Sequence, residues 1–227
     1  MPQEHVLVND IITDHRERML NLKKYYPFFK LSETSFSWFK EGAYENLDMG
    51  YILMAVLRFF IEENNFKEQD VTYNVGIYLA QILRQDERFE VLTSRTCISQ
   101  VVGYNNRTSL EERVWKANWW GADYFISIHC NSSTNPNAKG SEIYVYRSRT
   151  RAYYMAEDIL AQMVEQLNLR DRGVKINPDF YVLRRTDMPA MLVELAFITN
   201  VQDAEKLRND QRLFAQAIYD GIVNYLF

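Results

Sequence analysis

The chain has 227 residues, 47% hydrophobic and 25% charged, a globular composition with enough apolar side chain for one large core. Its net charge is -4 and its basic residues are interleaved with acidic ones, which argues against a nucleic-acid partner because no basic patch stands ready to displace counterions from phosphates. The two cysteines, Cys97 and Cys130, fit neither a compact zinc knuckle nor a disulfide scaffold; free buried thiols are the default reading, with a single bridge as the alternative.

In chain order, residues 1–66 read as an N-terminal segment distinct from the rest, mostly helical, with breaks at Pro27 and Gly42. Its start lacks the basic stretch and apolar core of a signal peptide. Val6–Asp10 has the look of a short strand. Met49–Asn64 carries apolar residues at Ile52, Leu53, Val56, Leu57, Phe59 and Phe60, a spacing that predicts a buried helix, with a strand as second choice. The run Tyr51–Ile61 is interrupted by Arg58 and is too short for a membrane span.

From residue 67 to 227 helical and extended patterns alternate. A helix is expected over Val71–Arg84 and a strand over Phe89–Leu92. A helix opens at Ser109 on the capping-box pattern Ser109-Leu110-Glu111-Glu112 and runs to about Trp119. Strands follow at Tyr124–His129 and Ser141–Tyr146, then a helix at Ala152–Leu167. Strands at Phe180–Leu183 and Ala190–Glu194 precede helices at Ala204–Arg208 and Leu213–Tyr225. This alternation predicts an α/β domain: a mostly parallel twisted sheet with helices on both faces, plus the helical N-terminal segment. No glycine-rich phosphate loop follows any strand, which disfavours a nucleotide enzyme.

Three residues stand out for chemistry. His129 ends a strand, where polar side chains of an α/β sheet face the usual ligand crevice; the alternative is a buried histidine bonded to backbone. Glu194 sits between Met191-Leu192-Val193 and Leu195-Ala196-Phe197, and burial there favours a raised pKa suited to general acid/base work unless an arginine such as Arg184 or Arg185 pairs with it. Glu68 opens a helix, where an acidic residue ordinarily serves the helix dipole.

Blocks in one consistent order then carry a resemblance. Glu68-Gln69-Asp70-Val71-Thr72, Thr93-Ser94-Arg95-Thr96, Ser109 to Arg113, Ile126-Ser127-Ile128-His129-Cys130-Asn131, Gly140-Ser141-Glu142-Ile143-Tyr144, Arg172-Gly173-Val174-Lys175, Tyr181-Val182-Leu183-Arg184, and Met188-Pro189-Ala190 through Glu194 to Phe197-Ile198-Thr199-Asn200 resemble the zinc-dependent N-acetylmuramoyl-L-alanine amidases, the family of bacterial cell-separation and sporulation amidases and of phage endolysins. The resemblance runs from residue 68 to the C-terminus. It implies a peptidoglycan hydrolase that cuts the amide between N-acetylmuramic acid and the L-alanine of the stem peptide. It implies a Zn2+ ion held by Glu68 and His129, with Glu194 as acid/base. Asn131, Arg172, Lys175 and Arg184 are expected to contact the substrate, the three basic residues through stem-peptide carboxylates. The expected setting is the cell wall or phage lysis, with peptidoglycan as the partner.

One family feature is missing. A glycine-rich turn bearing the first histidine ligand should precede Glu68, yet the window Asp48–Ile61 has no histidine and the chain has no such turn. Three readings stand open: an amidase body fused to an unrelated N-terminal segment, a replacement ligand from His15 or His5, and a catalytically impaired module that binds wall or a partner without turnover.

Overall fold

The computed structural model describes the backbone of residues 4–10 and all of residues 66–227. The described elements run β1 (Glu4–Asp10), α1 (Glu68–Gln85), β2 (Phe89–Thr93), α2 (Asn106–Trp120), β3 (Tyr124–Asn131), β4 (Ser141–Val145), α3 (Arg151–Leu167), β5 (Asp171–Ile176), α4 (Tyr181–Arg185), β6 (Ala190–Phe197), α5 (Val201–Asn209) and α6 (Gln211–Leu226). The strands form one sheet in the order β2-β1-β3-β6-β4-β5. All neighbours are parallel except β4 and β6, which pair antiparallel.

The central strands β3 and β6 are buried almost end to end, as their near-continuous apolar runs require. Alternation along them sorts side chains to two cores. Tyr124, Ile126 and Ile128 of β3, with Met191, Val193 and Leu195 of β6, pack under α1, α3 and α6 against Val75, Leu79, Ile159, Phe214 and Ile218. Phe125, Ala190 and Leu192 face the other way, onto Val114 and Ala117 of α2 and Val182 and Leu183 of α4. Helices therefore cover both faces, as expected. Burying side chains the size of Leu79 and Phe214 contributes about 1.5–3 kcal/mol each.

Several local expectations are corrected. The first strand of the sheet comes from the N-terminal segment: β1 lies between β2 and β3, with Val6 opposite Tyr124 and Asp10 opposite Ile128. The strand expected at Val6–Asp10 is thus present, beginning at Glu4, while the helical expectation for the rest of residues 1–66, including Met49–Asn64, falls almost wholly outside the described residues. The cap of α2 is Asn105, whose side chain accepts from Thr108 N–H while Thr108 Oγ1 accepts from Asn105 N–H; Ser109 is instead buried beside Arg113. Phe180–Leu183 is not a strand: Tyr181–Arg185 is a short helix, because four apolar residues carry no periodicity to separate the two. The strand β5 was not anticipated, since its charges and Gly173 are typical of a sheet edge rather than of a buried strand.

Candidate active site

The carboxyl ends of β3 and β6 place the candidate residues together. His129 of β3 is the register partner of Glu194 on β6, so the two side chains leave adjacent strands about 4.8 Å apart on the same face. An irregularity follows at once: Asn131 pairs with Phe197, so β6 uses one more residue than β3 beyond the His129–Glu194 pair. Bulges of this kind often sit beside functional sites, where they re-aim side chains.

Glu68 reaches the same point from the first turn of α1. It is 5% exposed, and its Oε1 accepts from the Cys130 N–H at 3.1 Å and lies 3.6 Å from His129 Nδ1. His129 is 2% exposed, and its Nε2 lies 3.0 Å from Ser127 Oγ. With Nε2 donating to Ser127, Nδ1 turns a bare lone pair toward a carboxylate oxygen. Among the described residues Nδ1 finds no hydrogen bond. In that tautomer the two facing atoms are both electron-rich and could hold a cation between them. An imidazole nitrogen and a carboxylate oxygen 3.6 Å apart are donor types that would suit a divalent cation. The Ser127 contact at the far nitrogen is the kind of support that orients a ligating imidazole.

The described residues supply this pair and no group of three or more metal-binding side chains. His5 cannot complete it. Its register in β1 is one residue before Val6, opposite the amino end of β3, six residues or roughly 20 Å from His129. His15 lies outside the described residues, but the chain leaves β1 at Asp10, level with Ile128 and beside the site.

Burial pushes the Cys130 thiol well above its ordinary value, and the charges of Glu68 and then Glu194 add to this, which places both carboxylates around one sulfur. Cys130 and Cys97 are free, so the default reading of the cysteines holds, with Cys97 exposed rather than buried.

One functional candidate escaped the sequence reading. Glu142 of β4 is the register partner of Glu194 on the side away from His129, and its side chain is 3% exposed. It accepts from Asn131 Nδ2 at 2.8 Å, Tyr144 Oη at 2.7 Å, Arg172 Nε at 2.6 Å, and Lys175 Nζ. Burial pushes the Glu142 carboxyl up, but the hydrogen bonds from Lys175, Tyr144 and Arg172 outweigh it and leave the group below the ordinary glutamate range. Three of the expected substrate-contacting residues, Asn131, Arg172 and Lys175, thus converge on Glu142. Arg184 does not join them: it is exposed in the last turn of α4. The available signal was a glutamate on a strand whose neighbours Ile143 and Val145 are buried; Arg172 and Lys175, three residues apart, gave none, because strand alternation alone puts them on opposite faces and only the register irregularity between β4 and β5 lets both reach Glu142.

An imidazole and two carboxylates meet at the carboxyl rim of a largely parallel sheet, where α/β domains usually bind their ligands. The sequence model of the N-acetylmuramoyl-L-alanine amidases matches residues 55–224, and the chain belongs to that family. The amidase CwlM of Bacillus licheniformis is 36% identical over 165 residues, covering 72% of this chain and 60% of that protein. The amidase LytC of Bacillus subtilis is 44% identical over 124 residues, covering 52% of this chain and 24% of that protein. The chain therefore spans less than two thirds of these curated relatives. Among solved structures, an N-acetylmuramoyl-L-alanine amidase from Clostridium difficile 630 superposes with a TM-score of 0.69 at 25% identity, covering 100% of this chain and 98% of that one. AmiC2 of Nostoc punctiforme gives 0.62 at 34% identity, covering 70% and 84%.

Proposed function

We propose that this chain hydrolyses the amide joining N-acetylmuramic acid to the L-alanine of the peptidoglycan stem, with a zinc ion at Glu68 and His129. The observation that supports this most is the buried 3.6 Å approach of Glu68 Oε1 to His129 Nδ1, with Glu194 as His129's neighbour across the ladder. Zinc, when bound, supplies a Lewis acid and lowers the pKa of a coordinated water. Ser127 holds the imidazole in one orientation through Nε2. Glu194 takes a proton from the attacking water and returns it to the leaving amine, a role that fits a half-buried carboxylate at the open rim. Asn131, Arg172, Lys175 and Arg184 contact the substrate. The sequence offers His15, outside the described residues, as a further ligand, and on that reading His15→Ala should release the metal.

The relatives bear on setting: they include a protein described as an endolysin of Bacillus phage SPP1 and one described as a sporulation-specific amidase of Bacillus subtilis. Action on the cell wall, from outside or during phage lysis, follows by analogy. No helix among the described residues is long and apolar enough to cross a membrane.

The test is release of soluble stem peptide from purified sacculi, together with elemental analysis for zinc. Hydrolysis that Glu194→Gln abolishes, in protein carrying stoichiometric zinc, is the expected result. Metal-free protein that sediments with sacculi and releases nothing would support the second reading, a wall-binding module without turnover, which the absent glycine-rich histidine turn favours.

A further inference from the structure

The Glu142 cluster is a dense polar assembly of which water activation makes no use. One carboxylate, itself nearly inaccessible, collects four donors from three elements: Asn131 of β3, Tyr144 of β4, and Arg172 and Lys175 of β5. Two donors on each oxygen fill the carboxylate's acceptor sites and fix all four side chains around it. The two cations are fixed from a second side as well. The Arg172 guanidinium carbon lies 4.8 Å from the centre of the Phe197 ring, and Lys175 Nζ lies 5.7 Å from that of Tyr144.

With the carboxylate of Glu194 one strand away, Glu142 directly neutralises only one of the two positive charges of Arg172 and Lys175. Their side chains remain 25% and 36% exposed, while Glu142 is sealed beneath them at 3%. Arg172 meets Glu142 through Nε, and its two terminal nitrogens make no further hydrogen bond among the described residues. An outward-facing, pre-oriented guanidinium beside an ammonium is a receptor for a carboxylate.

Its distance from the reaction site names which carboxylate. Glu142 is one strand from Glu194, about 4.8 Å, and the cations on β5 reach toward it from the next strand. An extended peptide advances about 3.3 Å per residue, so a group on the second stem residue lies roughly 7 Å from the scissile amide. The second residue of the stem is a D-glutamate joined through its side-chain carboxyl, and its α-carboxyl is either free or amidated.

We propose that Glu142, one strand beyond Glu194, is the positioning residue of a carboxylate subsite: it holds the charged groups of Arg172 and Lys175, which come from the strand after that, to receive the free α-carboxylate of the second stem residue. The chain thereby distinguishes wall peptides with a free carboxylate there from amidated ones. This rests on the reading that the peptide is cut at Glu194. Glutamine at position 142 cannot serve all four donors, because its amide NH2 faces two of them. The cations then lose their common anchor.

The test measures binding rather than turnover. The full chain carrying Glu194→Gln is titrated calorimetrically with N-acetylmuramoyl-L-alanyl-γ-D-glutamyl-L-lysine and with the same molecule amidated at the glutamate α-carboxyl. A charge-assisted pair predicts about tenfold tighter binding of the free acid. Adding Glu142→Gln should bring the ratio of the two dissociation constants close to one, while affinity for the amidated peptide changes little. A merely structural role would weaken both ligands alike. Arg172→Gln and Lys175→Gln, on the exposed side of the cluster, give the same readout should Glu142→Gln fail to fold. Equal affinities for the two peptides in the parent, or a tenfold ratio that survives Glu142→Gln and Arg172→Gln, would overturn the proposal. Sacculus hydrolysis by the unsubstituted chain is scored separately. Turnover without carboxylate preference removes the subsite alone, and carboxylate preference without turnover removes the amidase reading alone.

Discussion

Replacing Glu68 with glutamine should uncouple thermal stability from zinc. In the parent chain Glu68 Oε1 and His129 Nδ1 already stand 3.6 Å apart, so zinc can bridge them with little movement of either side chain. Zinc at a hundred times its dissociation constant adds about 2.7 kcal/mol to the folded state. For a chain of this size each kcal/mol moves the melting temperature by about 2–4 °C, so the parent should melt about 5–11 °C higher with zinc than with chelator. The glutamine keeps an oxygen for the Cys130 N–H but loses the negative charge and most of the metal affinity. Its zinc-dependent shift should fall below about 2 °C on the same scale. In chelator it should melt only slightly below the parent, because what remains lost is a helix-dipole interaction of about 0.3–1 kcal/mol at the start of α1. Differential scanning calorimetry with zinc and with EDTA reads all four values. Equal zinc shifts in the two proteins would refute the assignment of Glu68 as a ligand, and a parent insensitive to zinc would refute the metal site itself.

Other outcomes follow from the same geometry. Glu194→Gln should lower the rate of stem-peptide release by about 10²–10⁴-fold while leaving bound zinc unchanged, measured by sacculus assay and elemental analysis; loss of zinc in parallel would make Glu194 a ligand instead. Gly221 of α6 packs so closely on α3 that an added Cβ would stand 2.3 Å from Ile159 Cα, so Gly221→Ala should destabilise by about 1–3 kcal/mol or more in denaturant melts; an unchanged midpoint would contradict the close approach. Hydrogen bonds from Arg88 hold the Asp86 carboxyl well below the ordinary carboxylate range. Its stabilisation is therefore fully present above the unfolded value of about 3.9 and is lost as pH falls through the depressed native value. The melting-temperature gap between parent and Asp86→Asn should be constant near neutrality and close below about pH 4; a gap that widens on acidification would reverse the sign. A thiol reagent should label Cys97 rapidly and Cys130 only on unfolding, because Cys97 is exposed and Cys130 is sealed in the core; fast labelling of both would contradict that burial.

What could be seen in the sequence was what depends on local pattern. The apolar runs around His129 and Glu194 marked the two central strands, and the polar residue closing each run marked the rim. Glu68 was visible as an acidic residue opening a helix, but its meeting with Cys130 N–H depends on a contact across 62 residues that no local pattern encodes. The Val6–Asp10 strand was legible as a strand. Its insertion between β2 and β3 was not, because parallel pairing is decided by distant partners. Glu142 was hidden for the same reason. It gains meaning only when antiparallel pairing sets it opposite Glu194 and when β5, a polar edge strand, brings Arg172 and Lys175 alongside. Arg184 lies apart from the Glu142 cluster because the short helix at Tyr181–Arg185 turns it to solvent.

Anomalous X-ray diffraction at the zinc absorption edge, on crystals grown with zinc, locates the ion itself. The account places the anomalous peak between Glu68 and His129, about 2.0–2.2 Å from Oε1 of one and Nδ1 of the other, with Glu194 alongside and not bonded to it. A peak elsewhere on the molecule, or no peak in protein that still releases stem peptide from sacculi, would contradict it.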